Sequence, residues 1–240
     1  MNTPSPTRTS QMVAIVGGTG AGKGWVASRL SQLLGDQACL LSLDDFYRDR
    51  SHLPAERRER INFDVPHAID WSSARQVIND CRLGQPTRVP RYDFSTHSRL
   101  PAPAPLQPKP VVLVEGLWLL CHKATRQLFA LKIYVDCPAP LRLTRRRQRD
   151  VAERGRTADS VDRQFQRLAP FHDRYVEPQK QWADVVLNHP FDPTELNLLA
   201  HRLWALLQPD AGLPVPMPET FRAELLTLMH SHEQLDPSAS

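Results

Sequence analysis

The sequence predicts an α/β fold with a mainly parallel sheet, and three observations carry that expectation. The apolar run MVAIV at 12–16 leads straight into a glycine-rich loop, GGTGAGKG at 17–24. A helical pattern and a second apolar run, ACLLSL at 38–43, follow, so the chain opens strand–loop–helix–strand. Further apolar runs, VVLVEG at 111–116, LKIYVD at 131–136 and DVVLN at 184–188, then alternate with helical patterns.

Each element has its own reason. MVAIV is short and continuously apolar, the pattern of a strand covered on both faces. GKGWVASRLSQLLG at 22–35 reads as a helix, with Val26, Leu30, Leu33 and Leu34 on one face and Gly35 as its stop. TELNLLAHRLWALLQ at 194–208 is a late helix. The region 44–110 is rich in Arg, Pro and aromatic residues and reads as an excursion over the substrate side. Within it, PAPAPLQPKP is a Pro-rich surface loop. Residues 1–10 read as a flexible tail, 11–207 as the folded domain with an Arg-rich lid and following helix at 142–180, and 208–240 as a C-terminal extension. That extension holds one amphipathic pattern, ETFRAELLTLMHSH.

Composition narrows the class. The chain has 240 residues, 41% hydrophobic and 23% charged, which fits one globular domain with a full core. A net charge of +4 is too mild to argue for nucleic acid. The four cysteines, Cys39, Cys81, Cys121 and Cys137, form no C-x-x-C pair, which argues against a zinc or redox motif. Cys39 and Cys121 lie in or beside apolar runs and read as buried thiols. No run approaches the roughly 18 apolar residues of a membrane span, and the start lacks a signal-peptide core. A reducing, cytoplasmic setting is expected.

The loop carries the first chemistry. Gly17, Gly18, Gly20 and Gly22 free the backbone to turn N–H groups toward phosphate oxygens at a helix N-terminus, with Thr19 and Ala21 between them. Lys23 would reach the outer phosphates of a nucleoside triphosphate such as ATP or GTP. The motif G-x-x-x-x-G-K in this strand–helix context predicts a fold like that of the P-loop nucleoside triphosphate hydrolases. Gly24 stands where Ser or Thr usually supplies a hydroxyl to nucleotide-bound Mg2+.

Two acids follow at strand ends. Asp44, in LSLDDFYRD, closes the second strand, where an open sheet faces its ligand crevice. A carboxylate there could accept a proton from an attacking hydroxyl, although Asp44 or Asp45 could instead cap a turn. Glu115 ends VVLVEG and would face the metal directly or through water. Both are candidate metal residues. The run LRLTRRRQRDVAERGR supplies a cationic lid. Helical spacing puts Arg142, Arg146 and Arg149 on one side and points Arg145 and Arg147 elsewhere. The aromatic interleaving of a single-stranded nucleic-acid binder is missing.

Taken in order, LSLDDFYRD, NFDVPHAID, VPRYDFSTHSR, VVLVEG and RRRQRDVAERGR followed by ADVVL resemble the uridine/cytidine kinase family, which shares its architecture with phosphoribulokinase. The likeness runs from about residue 12 to about 207. It implies transfer of a terminal phosphate to the 5′-hydroxyl of a pyrimidine nucleoside, as in pyrimidine salvage, and often a homo-oligomer. By resemblance, Asp44 matches the catalytic base. Asp64 matches the acid that holds the ribose hydroxyls, with Arg146 as its partner. Tyr92, Phe94 and His97 match the base pocket, and Gln164 a nucleoside-side residue. Arg154 and Arg156 match lid arginines, and Arg149 another phosphate-side arginine.

Gly24 departs from the family's Ser or Thr. An active enzyme in which water replaces the hydroxyl is the favoured reading, because Asp44, Lys23, Glu115 and the lid arginines are present. Slow turnover with weak Mg2+ and a catalytically dead nucleotide-binding regulator are the alternatives. Within kinases, the rival acceptor is another small alcohol, a sugar phosphate or pantothenate, because Arg91 and Arg99 flank the YDFSTH core of the base segment.

Overall fold

The structure, a computed structural model, describes residues 9–206 except 59, 60, 62, 64 and 95; at 55, 154, 193 and 206 it describes the backbone only. In chain order the elements are β1 (Gln11–Gly17), α1 (Lys23–Leu34), β2 (Ala38–Ser42), α2 (Ala55–Arg58), α3 (Trp71–Arg82), and four short strands, β3 (Thr87–Val89), β4 (Tyr92–Asp93), β5 (Ser98–Arg99) and β6 (Ala104–Leu106). Then come β7 (Val111–Gly116), α4 (Lys123–Arg126), β8 (Leu131–Asp136), α5 (Ala139–Arg154), α6 (Ala158–Phe171), β9 (Val185–Asn188) and α7 (Pro193–Leu206).

Five strands form one sheet in the order β2-β7-β1-β8-β9, and each neighbouring pair is parallel. The continuous apolar runs are explained by cover on both faces. Met12, Ala14 and Val16 of β1 pack with Val112 and Val114 of β7 and with α3 residues such as Ala74 and Ile78. Val13 and Ile15 pack on the other face with Val111, Leu113 and the α1 and α7 residues Val26, Leu30, Leu199 and Leu203. The predicted α1 face, Val26, Leu30, Leu33 and Leu34, is at most 2% exposed. Gly35 ends α1 at φ 54 and ψ −131, a positive-φ conformation that glycine adopts without steric cost.

Residues 44–110 hold more than an excursion. Asp70 caps α3 by accepting a hydrogen bond from the Ser73 N–H, and Trp71, Ala74, Val77, Ile78 and Cys81 of α3 are buried. The Pro-rich stretch contributes β6, which pairs antiparallel with β3. Cys81 and Cys137 are the buried thiols, whereas Cys39 and Cys121 are only half-buried, contrary to expectation. Cys39 lies on β2, an edge strand of the sheet, where cover is partial. All four are free. Among the described residues no helix is long and apolar enough to cross a membrane.

The strand order places the chemistry. The glycine loop leaves the carboxyl end of the central strand β1. The residues following β2 and β7 flank it on one side, and those following β8 and β9 flank it on the other. A crevice outside the strand ends is the consequence.

Candidate functional site

The loop between β1 and α1 is shaped by close approach to α5. Gly20 sits at φ +75, and a Cβ there would lie 2.3 Å from the Arg142 carbonyl oxygen. Gly22 sits at φ +99 as the residue before α1, with Phe191 beside it. Any L side chain would be strained at both positions. Lys23 is buried and its Nζ donates to the Gly18 carbonyl at 3.0 Å, folding the side chain back over the loop. Burial pushes the Lys23 pKa below its ordinary value, against the opposing pull of Glu115 and Asp44.

A cavity of about 310 Å³ opens over this loop, lined by Thr19, Gly20, Gly22, Lys23 and Gly24 together with Asp44, Glu115, Arg145, Arg146 and Arg149. Gly17, Gly18 and Ala21 shape the loop from behind. Gly17 packs on Val135, Gly18 on the Arg142 side chain, and Ala21 is fully buried. The two acids are joined through Ser42, whose hydroxyl donates to Glu115 Oε1 at 2.6 Å and accepts from the Asp44 N–H at 3.3 Å. Two carboxylates beside a phosphate-sized cavity fit Mg2+, which holds one or two carboxylates plus substrate oxygens and keeps several waters. Gly24 adds no hydroxyl, and a Cβ built on it meets nothing within 4 Å.

The arginines divide their work differently from the helical-spacing expectation. Arg142 is buried behind the loop, where its Nε donates to the Cys137 carbonyl at 3.0 Å and its Nη2 lies 3.3 Å from His172. Arg145, expected to point elsewhere, lines the cavity and donates to the Ala21 carbonyl at 3.3 Å. The loop wraps over the start of α5, so more than one face of that helix meets it. Arg147 does point away, and it pairs with Asp162 of α6, clipping the two helices together.

Asp150 organises the rest. Its carboxylate is wholly buried and lies 3.4 Å from Arg146 Nε, 2.8 Å from Arg149 Nη2 and 3.3 Å from Arg156 Nη1. The Arg156 N–H also donates to the Asp150 carbonyl at 3.1 Å, across the turn at Gly155. Thr19 accepts from Arg146 Nη1 at 3.2 Å, which ties this cluster to the loop. One acid therefore fixes three cations: Arg146 and Arg149 line the loop cavity, and Arg146 and Arg156 line the smaller cavity beside it. The sequence reading missed Asp150 because an acid within an arginine run looks like an ordinary solvated partner.

Beside the first cavity lies a smaller one of about 60 Å³, lined by Tyr47, Phe63, Tyr92, Phe94, His97, Arg146, Arg156 and Gln164. Its walls are ring on ring. Phe63 and His97 stack at 4.6 Å with planes 8° apart, and Tyr47 meets Tyr92 at 5.2 Å and Phe94 at 6.0 Å. Gln164 accepts from Arg156 Nη1 at 2.5 Å. Burial pushes the Tyr92 pKa up to about 12, and its hydroxyl is buried without a hydrogen-bond partner among the described residues. An orphaned buried hydroxyl points to a ligand group. The two cavities share Tyr47, Phe94 and Arg146 as a common wall.

The structure thus brings Tyr92, Phe94, His97, Arg146, Arg156 and Gln164 to one cavity, and Lys23, Asp44, Glu115 and Arg149 to its neighbour. Asp64 and the Arg154 side chain lie outside the described residues, as does the extension after 206. Tyr47 and Phe63 were missed, although both stand in the aromatic-rich segment that the sequence assigned to the substrate side. Ser42 gave no signal, since a serine at the end of a strand is commonplace.

Comparison with known proteins agrees with this architecture. Residues 12–192 match the Phosphoribulokinase / Uridine kinase family. A uridine kinase of Staphylococcus carnosus is 40% identical over 178 residues, covering 73% of this chain and 86% of that protein. A uridine kinase of Halobacterium salinarum is 36% identical over 200 residues, covering 83% and 89%. Among solved structures, phosphoribulokinase from Rhodobacter spheroides shares the fold with a TM-score of 0.58 at 17% identity, over 75% of this chain and 70% of that one. A parallel sheet with a glycine loop at its centre, an acid at the carboxyl end of each of two neighbouring strands and this extent of sequence match lead to one conclusion: the chain belongs to the phosphoribulokinase/uridine kinase family.

Proposed function

We propose that the chain is a cytoplasmic nucleoside kinase that transfers the γ-phosphate of ATP or GTP to the 5′-hydroxyl of uridine or cytidine, a pyrimidine-salvage reaction. The observation that carries this reading is the wall shared by the aromatic box and the phosphate cavity. A flat base held among Tyr47, Phe63, Tyr92, Phe94 and His97 leaves its sugar directed at the cavity that holds Lys23 and Asp44.

The residues then have distinct tasks. Loop N–H groups and Lys23 bind the phosphate chain at the start of α1. Asp44 accepts the proton of the 5′-hydroxyl as the O5′–P bond forms and the bond from the γ-phosphorus to the bridging oxygen breaks, releasing the nucleoside diphosphate. Arg149 and Arg156, both held by Asp150, supply positive charge around the group in transit, and Arg154 is the third lid candidate. Mg2+, held through Asp44 and Glu115, would neutralise phosphate charge.

The acceptor is assigned as uncharged. Arg99, one of the two cations that left a phosphorylated acceptor open, donates to the Tyr47 carbonyl at 2.9 Å and pairs with Asp70 at 3.3 Å, so it braces the segment. Arg91 is exposed and does not line the box. The test is a panel of uridine, cytidine, purine nucleosides, pantothenate and sugar phosphates with ATP and Mg2+, with product read by mass. Pyrimidine nucleoside monophosphates are the expected product. A pantothenate or sugar-phosphate product would overturn the acceptor assignment, and nucleotide binding without any product would make the chain a regulator.

A further inference from the structure

Trp25 is 54% exposed, yet its ring lies flat on Phe191, with centroids 5.3 Å apart and planes 8° from parallel. The pair joins two segments distant in sequence, the start of α1 and the loop between β9 and α7. It also borders the phosphate cavity. A Cβ on Gly22 would come 3.1 Å from Phe191 Cε2. Arg145, which lines that cavity, lies 6.0 Å from the Phe191 ring centroid and 2.7 Å from His189, whose own ring meets Phe191 edge-on at 5.2 Å. A continuous surface therefore runs from the cavity across Arg145 to two stacked rings.

The sheet order says which end of a ligand would arrive there. Asp44 follows β2 and Glu115 stands at the end of β7, both on one side of β1. Phe191 follows β9, at the opposite edge of the sheet. A triphosphate laid across the β1 loop with its terminal phosphate beside Asp44 sends its other end toward β9. We propose that Trp25 and Phe191, flanked by Arg145, form the stacking platform for the purine base of the phosphate donor. The proposal rests on the kinase reading above for the direction of the triphosphate. Stacking uses the face of a base and is tolerant of its edge groups, so ATP and GTP are accepted with similar affinity.

The experiment compares ATP, GTP and inorganic tripolyphosphate binding to the full chain by titration calorimetry with Mg2+. Variants are Trp25→Ala, Phe191→Ala and the conservative Trp25→Phe. The parent is expected to prefer ATP over tripolyphosphate. Each alanine variant should weaken ATP and GTP about tenfold, the size of a lost base–aromatic stack, while tripolyphosphate affinity stays put. Trp25→Phe should restore most of the ATP affinity, and ATP should quench tryptophan fluorescence in the parent but much less in that variant. The KM for ATP should rise in the alanine variants with the nucleoside KM unmoved. ATP affinity within twofold of the parent in both alanine variants overturns the platform and leaves the kinase reading standing. A parent that binds no ATP overturns both. Trp25 is exposed, so its alanine variant remains decisive if Phe191→Ala fails to fold.

Discussion

The phosphate cavity and the aromatic box share a wall but are held together by different forces. In the cavity, charged groups are locked by other polar groups: Lys23 by the Gly18 carbonyl, Glu115 by Ser42, and Arg149 by Asp150. In the box the contacts are mainly between ring faces and edges, and the Tyr92 hydroxyl is left for a partner. Fixed charges suit a transition state, because preorganised dipoles and cations need no rearrangement when charge moves. Ring contacts suit binding, because they bury area with modest directionality. Substitutions in the cavity should therefore act on kcat or on stability, and substitutions in the box on the acceptor KM.

The largest effect is expected at Asp44. Asp44→Asn keeps the shape and removes the proposed proton acceptor, so kcat should fall about 1,000-fold, within the range for general-base catalysis. The nucleoside KM should stay within about twofold of the parent. A kcat within a few-fold of the parent would remove Asp44 as the base and would blur the division between the two cavities.

Asp150→Asn comes next, and it separates stability from chemistry. The parent carboxylate is 0% exposed and faces Arg146, Arg149 and Arg156. Neutralising it removes a buried counter-charge that the three arginines share, a loss of about 3 kcal/mol for a broken buried pair. In a domain of this size that corresponds to a fall in Tm of roughly 6–12 °C. The kcat should also fall, about 30-fold, because the arginines lose their shared anchor. An unchanged Tm in a thermal melt would mean that Asp150 does not bear the cluster.

How well the sequence exposes each region follows from the same contrast. The sheet was legible because each central strand is a continuous apolar run, and only burial on both faces sustains such a run. The loop was legible because Gly20 and Gly22 answer a backbone demand that few other residues meet. Asp44 and Glu115 were legible because strand ends point to the crevice. Asp150 was hidden because its role depends on Arg156, which reaches it only after the chain turns at Gly155. Arg145 was misplaced because spacing along α5 does not reveal that the loop wraps over its start. The box was legible only through the family resemblance. Without it, Tyr92 is an aromatic in a strand, and nothing local joins it to Gln164 across 72 residues.

Tyr92→Phe tests the soft side of the comparison. Its hydroxyl has no partner among the described residues, so removal should leave Tm unchanged or slightly higher. If that hydroxyl meets the acceptor, the nucleoside KM should rise about three- to tenfold, the worth of one uncharged hydrogen bond, while kcat and the ATP KM stay close to the parent. A pKa pushed up to about 12 by burial keeps the phenol protonated near neutrality, so this effect should be level across about pH 6–9. A fall in kcat with an unmoved KM would put Tyr92 with the cavity and not with the box.

The smallest expected effect is at Gly24, and there the cavity itself is incomplete. Gly24 is the second residue of α1 and lines the cavity with Lys23, Asp44 and Glu115, yet it brings no oxygen to a metal. A side chain would fit, since an added Cβ meets nothing within 4 Å and the backbone there is not left-handed. Gly24→Ser should therefore fold as well as the parent, with a small gain in stability from replacing a helical glycine. Its hydroxyl can replace one water around Mg2+, so the metal concentration for half-maximal rate should fall a few-fold. The kcat at saturating Mg2+ and the nucleoside KM should hardly move, because the remaining positioning and charge are already in place. A metal requirement identical to the parent's would show that the serine hydroxyl does not reach the metal. A large rise in kcat at saturating Mg2+ would show instead that the natural glycine holds the enzyme in a slow state.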